Sequence, residues 1–511
     1  MSTRIATGGR LLKKSNAVSF SFNGKQLRGF EGDTLASALL ANDQMLVGRS
    51  FKYHRPRGIV AAGPEEPNAL VNLGTAGQFE PNQRATTTEL FDGLNAESQN
   101  HWPSLEFDVG AINKYLSRFL PAGFYYKMFI HPRPFWKHVY EPIIRHSAGL
   151  GKAPREKDKD TYEHFYAFCD VLVIGGGVAG LEAARTAGRS GARVILLEQT
   201  DHWGGRAPVD GGAIEGTPVE SFVDTLVTEL STMNNVEMRT RVMGAGVYDH
   251  GYVLGYERLT DHAPQSTGPR HRLWRIRAGH IITATGAIER PLSFAGNDIP
   301  GVMLAASVRD YLVNYGVSVG DRTVVVTNND DAYRTAIALV EAGLSVPAVL
   351  DARVLPQDSP LMARAKELGI RVMMGHAISR VRGAKRVTAV EVCSQAGEGA
   401  VLETIACEAV AMSGGWAPVV HLWSHCGGKL IWDTKLATFR PDVDNPPLGA
   451  DGHGFVTAAG AAAGFFGLDD ILHDAHAAAD GVATTLGFKL PSDVASPNAS
   501  RQEEAPLTPV W

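Results

Sequence analysis

Residues 170–198 constrain this chain more than any other stretch. Val171-Leu172-Val173-Ile174 reads as a short apolar strand, Gly175-Gly176-Gly177-Val178-Ala179-Gly180 as a glycine-rich turn opening a helix, and Val194–Glu198 as a second strand ending in an acid. Each part of such a βαβ unit has a mechanical role. Gly175 makes the tight turn, Gly177 lets a pyrophosphate approach the backbone, and Gly180 lets helix and strand pack closely. Gly176 and Ala179 complete the turn. The helix N-terminus offers unpaired N–H groups and a partial positive charge to phosphates. Glu198 can accept hydrogen bonds from both ribose hydroxyls and would repel a 2′-phosphate. Strand, helix and terminal acid in this order define a dinucleotide-binding unit.

Downstream, Trp203-Gly204-Gly205-Arg206 brings Gly205 and Arg206 within reach of the same ligand. Ala284-Thr285-Gly286-Ala287 ends a β-rich run, so Thr285 and Gly286 join the candidate site. This order resembles flavoproteins with two dinucleotide-binding domains, in which such a segment packs near the first nucleotide and leads into the second domain. A second strand–turn–helix–strand unit does follow, over Thr323–Leu350. Its turn is Asn328-Asn329-Asp330-Asp331, with no glycine and two carboxylates that would repel a pyrophosphate. The expectation is a domain that keeps the fold and has lost or altered its nucleotide. The fold class is therefore α/β, two linked doubly wound domains, preceded by a small α+β module. The boundaries read as 1–100 for that module and 101–168 for an aromatic, Pro-broken connecting segment. The first dinucleotide-binding domain takes 169–290 and 405–490, the degenerate one 291–404, and a linker-like tail 491–511. In the module, Ala17–Phe22 alternates like a strand, Asn23-Gly24 turns, and Asp33 is read as the cap of a helix over Thr34–Ala41.

The 511 residues carry a formal net charge of −5, which offers no electrostatic case for a nucleic-acid partner. No apolar run approaches the ~18 residues that span a bilayer, and the first residues lack a secretory apolar core. The expectations are no membrane partner and a cytoplasmic setting. The 4 cysteines, Cys169, Cys393, Cys407 and Cys426, form no C-x-x-C pair, which argues against dithiol chemistry. His421, His425 and Cys426 lack a second ligand pair, so no metal site is expected. Arg49, Lys52, Arg55 and Arg57 cluster in Gly48–Gly58 and suggest an anion site or a charged subunit contact. Trp102, Phe124, Tyr125, Tyr126, Phe135 and Trp136 suggest further contact surface. No catalytic acid or base can be named from these patterns.

The segments FNGKQLRGFEGDTLASALLAND, VGRSFKYHRPRGI, SQNHWPSLEFDVGAIN, PAGFYYKMF, VVVTNNDDAYRTA and MSGGWAPVVHLWSHCGGKLIWD resemble the alpha subunits of heterotetrameric sarcosine oxidases. The resemblance implies NAD at Gly175–Gly180, with FAD also possible on this chain, and FMN at a partner interface. It further implies a beta-type flavoprotein subunit and smaller subunits as partners. The activity it implies is oxidation of sarcosine or a related N-methyl amine to an imine. The products are then glycine, hydrogen peroxide and formaldehyde or methylene-tetrahydrofolate. Family alpha subunits continue into a folate-binding, aminomethyltransferase-like half, and the Pro506–Trp511 tail reads as a linker toward it. The N-terminal module resembles a [2Fe–2S] ferredoxin fold, yet residues 1–168 contain no cysteine, so no iron–sulfur cluster is expected there. Alternative functions are a subunit of a related amine, opine or proline dehydrogenase, a self-contained FAD/NAD(P)H reductase, or a non-catalytic NAD-holding assembly subunit.

Overall fold

Val171–Ile174 and Val194–Leu197 are buried at almost every atom, as expected for strands inside a parallel sheet covered on both faces. In the computed structural model, which describes residues 3–119, 123, 131–147, 149, 151–354, 359–500 and 506–510, they lie at the centre of one of two units. That unit comprises Asp160–Arg290 and Gly414–Pro509. Its sheet runs in the order Val236–Arg239, Val194–Leu197, Tyr162–Ile174, His271–Thr283, Tyr252–Arg258, Val242–Tyr248, with Val456–Ala458 added alongside Ile281–Thr283. The first four strands and Val456–Ala458 are parallel; the remaining pairs form an antiparallel meander. Helices Val178–Arg189, Val219–Thr232 and Leu468–Thr485 share a core with one face of the parallel part. Val253, Trp274 and Ile276 of the meander pack with Leu172 and Ile195 on the other. The runs Leu273–Ile276 and His280–Thr283, read separately in the sequence, belong to one 13-residue strand.

The other unit comprises Met1–Lys159, Pro291–Ser413 and Val510–Trp511. Its N-terminal sheet has the order Lys25–Glu31, Lys13–Phe22, Asn95–Ser98, Leu70–Leu73, Glu80–Arg84. Helix Leu35–Ala41 is buried along its whole length. Its cap is Thr34 rather than Asp33: the Thr34 hydroxyl accepts from Ser37 N in a capping box, while Asp33 accepts from the Ser37 hydroxyl and from Arg4. A second parallel sheet runs Val302–Leu304, Ala409–Ser413, Thr323–Thr327, Val349–Asp351, Val372–Met374. Ala409–Ser413 pairs with both Val302–Leu304 and Thr323–Thr327, so the chain leaves this sheet at Gly414 and not at the expected residue 405. One continuous core joins Leu35, Leu39 and Phe20 to Val308, Tyr311 and Tyr333. The N-terminal module is thus seated on the helices of the second sheet. Phe124, Tyr125, Tyr126 and Trp511 lie outside the described residues. Among the described residues, no helix is long and apolar enough to cross a membrane.

Candidate functional site

The glycines after Ile174 meet two different kinds of demand. Gly175 has φ +114°, and a Cβ there would lie 2.2 Å from the Ala284 carbonyl oxygen. A Cβ on Gly180 would lie 1.7 Å from the Gly175 carbonyl oxygen, and one on Gly176 would strike the Trp203 ring at 2.5 Å. These three are dictated by packing. Gly177 is different: a Cβ on it would find nothing nearer than Gly205 Cα, 4.0 Å away. Gly177 is the N-cap of helix Val178–Arg189 and brings no side-chain oxygen to the first-turn amides. The result is a cradle with helix-end N–H groups on one side and bare backbone on the other, which suits a diphosphate.

Glu198 stands buried beside it at the end of Val194–Leu197. Its Oε2 accepts from Gly176 N at 2.6 Å, and its Oε1 accepts from Thr200 N at 2.7 Å and the Thr200 hydroxyl at 2.9 Å. The turn therefore orients the carboxylate: Oε1 accepts twice from Thr200, and Oε2, which accepts once, retains acceptor capacity for a ribose hydroxyl. Gly204 N donates to Gly176 O at 2.8 Å, which seats the Gly204–Gly205 segment against the turn. Gly205, at φ +56°, has Gly177 Cα 3.0 Å from where its Cβ would be. Arg206 is held by Asp210 at 2.9 Å and stacks over the Trp416 ring at 5.0 Å. The Thr285 hydroxyl donates to Val419 O at 2.8 Å, and Val419 N donates to Gly286 O at 2.9 Å. Thr285 and Gly286 are thereby tied to the returning chain.

Sequence reading missed a further wall of the cradle. Gly460, at φ +63°, abuts Ala179: its Cβ would come within 2.6 Å of Ala179 Cβ. Gly460 N donates to Asp474 Oδ2 at 2.7 Å, and burial raises the carboxyl pKa of Asp474. The signal was the small-residue run Gly460–Gly464 after strand Val456–Ala458. Trp203 and Trp416 were also passed over as neighbours of Gly176 and Arg206.

The second βαβ turn is filled by its own side chains. Arg353 bonds Asp330 and Asp351, both at 2.7 Å, and Arg309 bonds Asp331 at 3.1 Å. Asn329 Oδ1 accepts from Asp331 N at 3.1 Å, at the start of helix Asp331–Glu341. The positions a diphosphate would use are occupied by buried carboxylates and amides, so these residues do not fit a second nucleotide.

In the Gly48–Gly58 cluster, expected as an anion site or charged subunit contact, three of the cations have partners inside their own unit. Arg49 is buried and donates to Leu105 O at 3.0 and 2.8 Å, and Arg55 and Arg57 both pair with Asp298. Cys169, Cys393, Cys407 and Cys426 are free thiols; burial pushes Cys169 and Cys407 up to about 12 and Cys426 to about 11. His425 accepts from Val247 N and packs edge-on to Tyr248, while Cys426 Sγ donates to Leu422 O.

A glycine cradle, a helix N-terminus and a strand-end acid on a parallel sheet define a dinucleotide-binding oxidoreductase fold. The chain belongs to the pyridine nucleotide-disulphide oxidoreductase family, whose model matches residues 169–443. Along nearly its whole length it is similar to sarcosine oxidase alpha subunits. It is 45% identical over 503 residues to that of Rhizobium meliloti (strain 1021), covering 98% of this chain and 49% of the relative. It is 35% identical over 514 residues to that of Corynebacterium sp. (strain P-1), covering 98% and 46%. The chain spans about half the length of these curated relatives. The solved L-proline dehydrogenase from P. horikoshii shares the fold, with TM-score 0.61 and 19% identity, over 96% of this chain and 77% of that one.

Residues 15–101 match the model of a 2Fe-2S iron-sulfur cluster binding domain. This overturns the expectation of no iron–sulfur cluster and agrees with the module's resemblance to a [2Fe–2S] ferredoxin fold. That expectation rested on donor atoms alone, whereas the match rests on the pattern of the whole module. The donor set remains a poor fit, because the first cysteine of the chain is Cys169.

Proposed function

We propose that this chain is the nucleotide-binding, alpha-type subunit of a hetero-oligomeric sarcosine oxidase in a cytoplasmic setting. The observation that carries the proposal is the open Gly177–Gly205 cradle beside Glu198, in a chain similar over 98% of its length to sarcosine oxidase alpha subunits. In this reading the cradle binds an adenine dinucleotide, NAD by the family resemblance. Such a cofactor supplies a ring that can take or give a hydride. The residues here bind and orient it: first-turn amides and Gly177 hold the diphosphate, Glu198 holds the ribose, and Trp203 closes over Gly176. The amine-oxidising flavin belongs to a partner subunit, because the second βαβ turn is blocked by the Arg353–Asp330–Asp351 cluster. The four protonated thiols leave no dithiol to carry electrons.

Denaturing the purified chain and identifying the released nucleotide tests this reading. NAD in stoichiometric amount is expected. Release of FAD from the chain alone, together with NADH-dependent reductase activity, would favour a self-contained reductase instead.

A further inference from the structure

Strand Tyr162–Ile174 is paired along one edge by His271–Thr283 over its whole length, but along the other by Val194–Leu197 only at Val171–Ile174. Over residues 162–169 the second edge has no strand partner among the described residues. An open strand edge is a row of unsatisfied N–H and C=O groups that can template another strand. Proteins usually blunt it with Lys or Pro. The stretch here, YEHFYAF, contains neither, and its single charge, Glu163, is paired with Arg272.

The sheet face beside this edge is equally unusual. Trp274 and Ile276 point into the core, whereas Arg275 and Arg277 lie on the opposite face with Tyr166 and Phe168 as their registered neighbours. Tyr166 is 62% and Phe168 67% exposed. Arg275 donates to the Tyr166 hydroxyl at 2.5 Å and stacks on its ring at 5.3 Å. Arg277 stacks on Tyr252 at 4.8 Å and donates to His250 O at 3.1 Å. Arg270 and Arg272, just upstream, are each bound to two carboxylates: Asp160 and Asp261, and Glu163 and Glu257. Arg275 and Arg277 have none among the described residues. Tyr and Arg are among the side chains enriched at the energetic centres of protein–protein interfaces.

We propose that this face and edge dock a partner subunit. Its contacting surface carries Asp or Glu opposite Arg275 and Arg277, and an extended segment of it adds a strand along residues 162–169. The inference rests on the reading of the chain as a subunit and specifies where its partner sits. Charge complementarity names the occupant: two unneutralised cations beside a bare edge favour an acidic strand over a second copy, whose own arginines would face them across a two-fold axis.

The test uses the full chain and a co-expressed beta-type flavoprotein subunit. Backbone amides of residues 163–168 are followed by hydrogen–deuterium exchange, and complex mass by light scattering. The amides are expected to exchange fast in the free chain and to become protected in the complex. Arg275→Glu/Arg277→Glu is expected to weaken the complex by about thirtyfold or more, with nucleotide content unchanged because neither side chain enters the core. Added salt should mimic the variant in part. A complex that forms with these amides unprotected, and that the charge-reversed variant joins as well as wild type, overturns the docking site and leaves the subunit reading standing. If the free chain already has twice its monomer mass and protected amides, a second copy covers the edge, and the proposal fails. If no complex forms at all, the subunit reading fails and the docking site with it.

Discussion

Gly177 and Gly180, three positions apart in one turn, are glycine for opposite reasons. At Gly180 the Gly175 carbonyl leaves no room for a Cβ, so Gly180→Ala attacks the fold and should cost about 1–3 kcal/mol or more. At Gly177 the backbone is extended, φ −68° and ψ 177°, and a Cβ would meet nothing nearer than Gly205 Cα at 4.0 Å. Gly177→Val is therefore expected to fold normally and to lose its dinucleotide, since the branched side chain fills the cradle. Retention of full nucleotide by a folded Gly177→Val protein, measured on denatured samples, would show that the ligand lies elsewhere. Glu198→Ala should weaken dinucleotide binding by about 1–3 kcal/mol, the scale of hydrogen bonds to a charged group, as read by calorimetric titration.

At the scale of elements, two buried polar groups tie strands together and make different predictions. His280 is buried in the long strand His271–Thr283, its ring 2.9 Å from the Thr457 hydroxyl of the neighbouring strand, and burial depresses its pKa to about 4. The unfolded chain takes up that proton near pH 6.5. Between those values the unfolded state binds more protons, so stability present above pH 6.5 is lost as the pH falls toward 4. Urea midpoints should drop over pH 6.5 to 5, and His280→Gln should flatten that part of the profile. Arg353 sits fully buried between Asp330 and Asp351. Arg353→Leu would strand two buried carboxylates and should cost about 3–5 kcal/mol, read as a lower urea midpoint. If the turn instead served a second nucleotide, added NADH would restore the lost stability; no restoration is expected.

For the whole molecule, the expected outcome is dependence on a partner. The chain alone should produce no hydrogen peroxide from sarcosine, and co-expression with a beta-type flavoprotein subunit should confer that activity. Peroxide formation by the pure single chain would sink the subunit reading. The two surfaces singled out in the sequence differ in this respect. Arg49, Arg55 and Arg57 have partners within their own unit, with Arg55 still about half exposed, whereas Trp102 and Phe135 are exposed.

The fold class was legible because it is written in local signals. A buried βαβ unit needs an apolar four-residue strand, glycines where carbonyl oxygens crowd the turn, and a short second strand, and each is visible within thirty residues of Val171. The same locality exposed the degenerate second turn, where carboxylates replace glycine. What only the tertiary structure decided depends on partners distant in sequence. No local pattern announces that Arg49 reaches Leu105, that Arg353 is held between Asp330 and Asp351, or that Gly460 abuts Ala179. Nor does any pattern announce that Ala409–Ser413 belongs to the second sheet, because its apolar run would fit either one. The open edge at residues 162–169 is of the same kind. Whether a strand is paired on one side or both depends on where its neighbour ends, and Val194–Leu197 begins too late to cover it. Backbone requirements of one turn are intrinsic to the residues that make it; pairing and burial belong to the sheet as a whole.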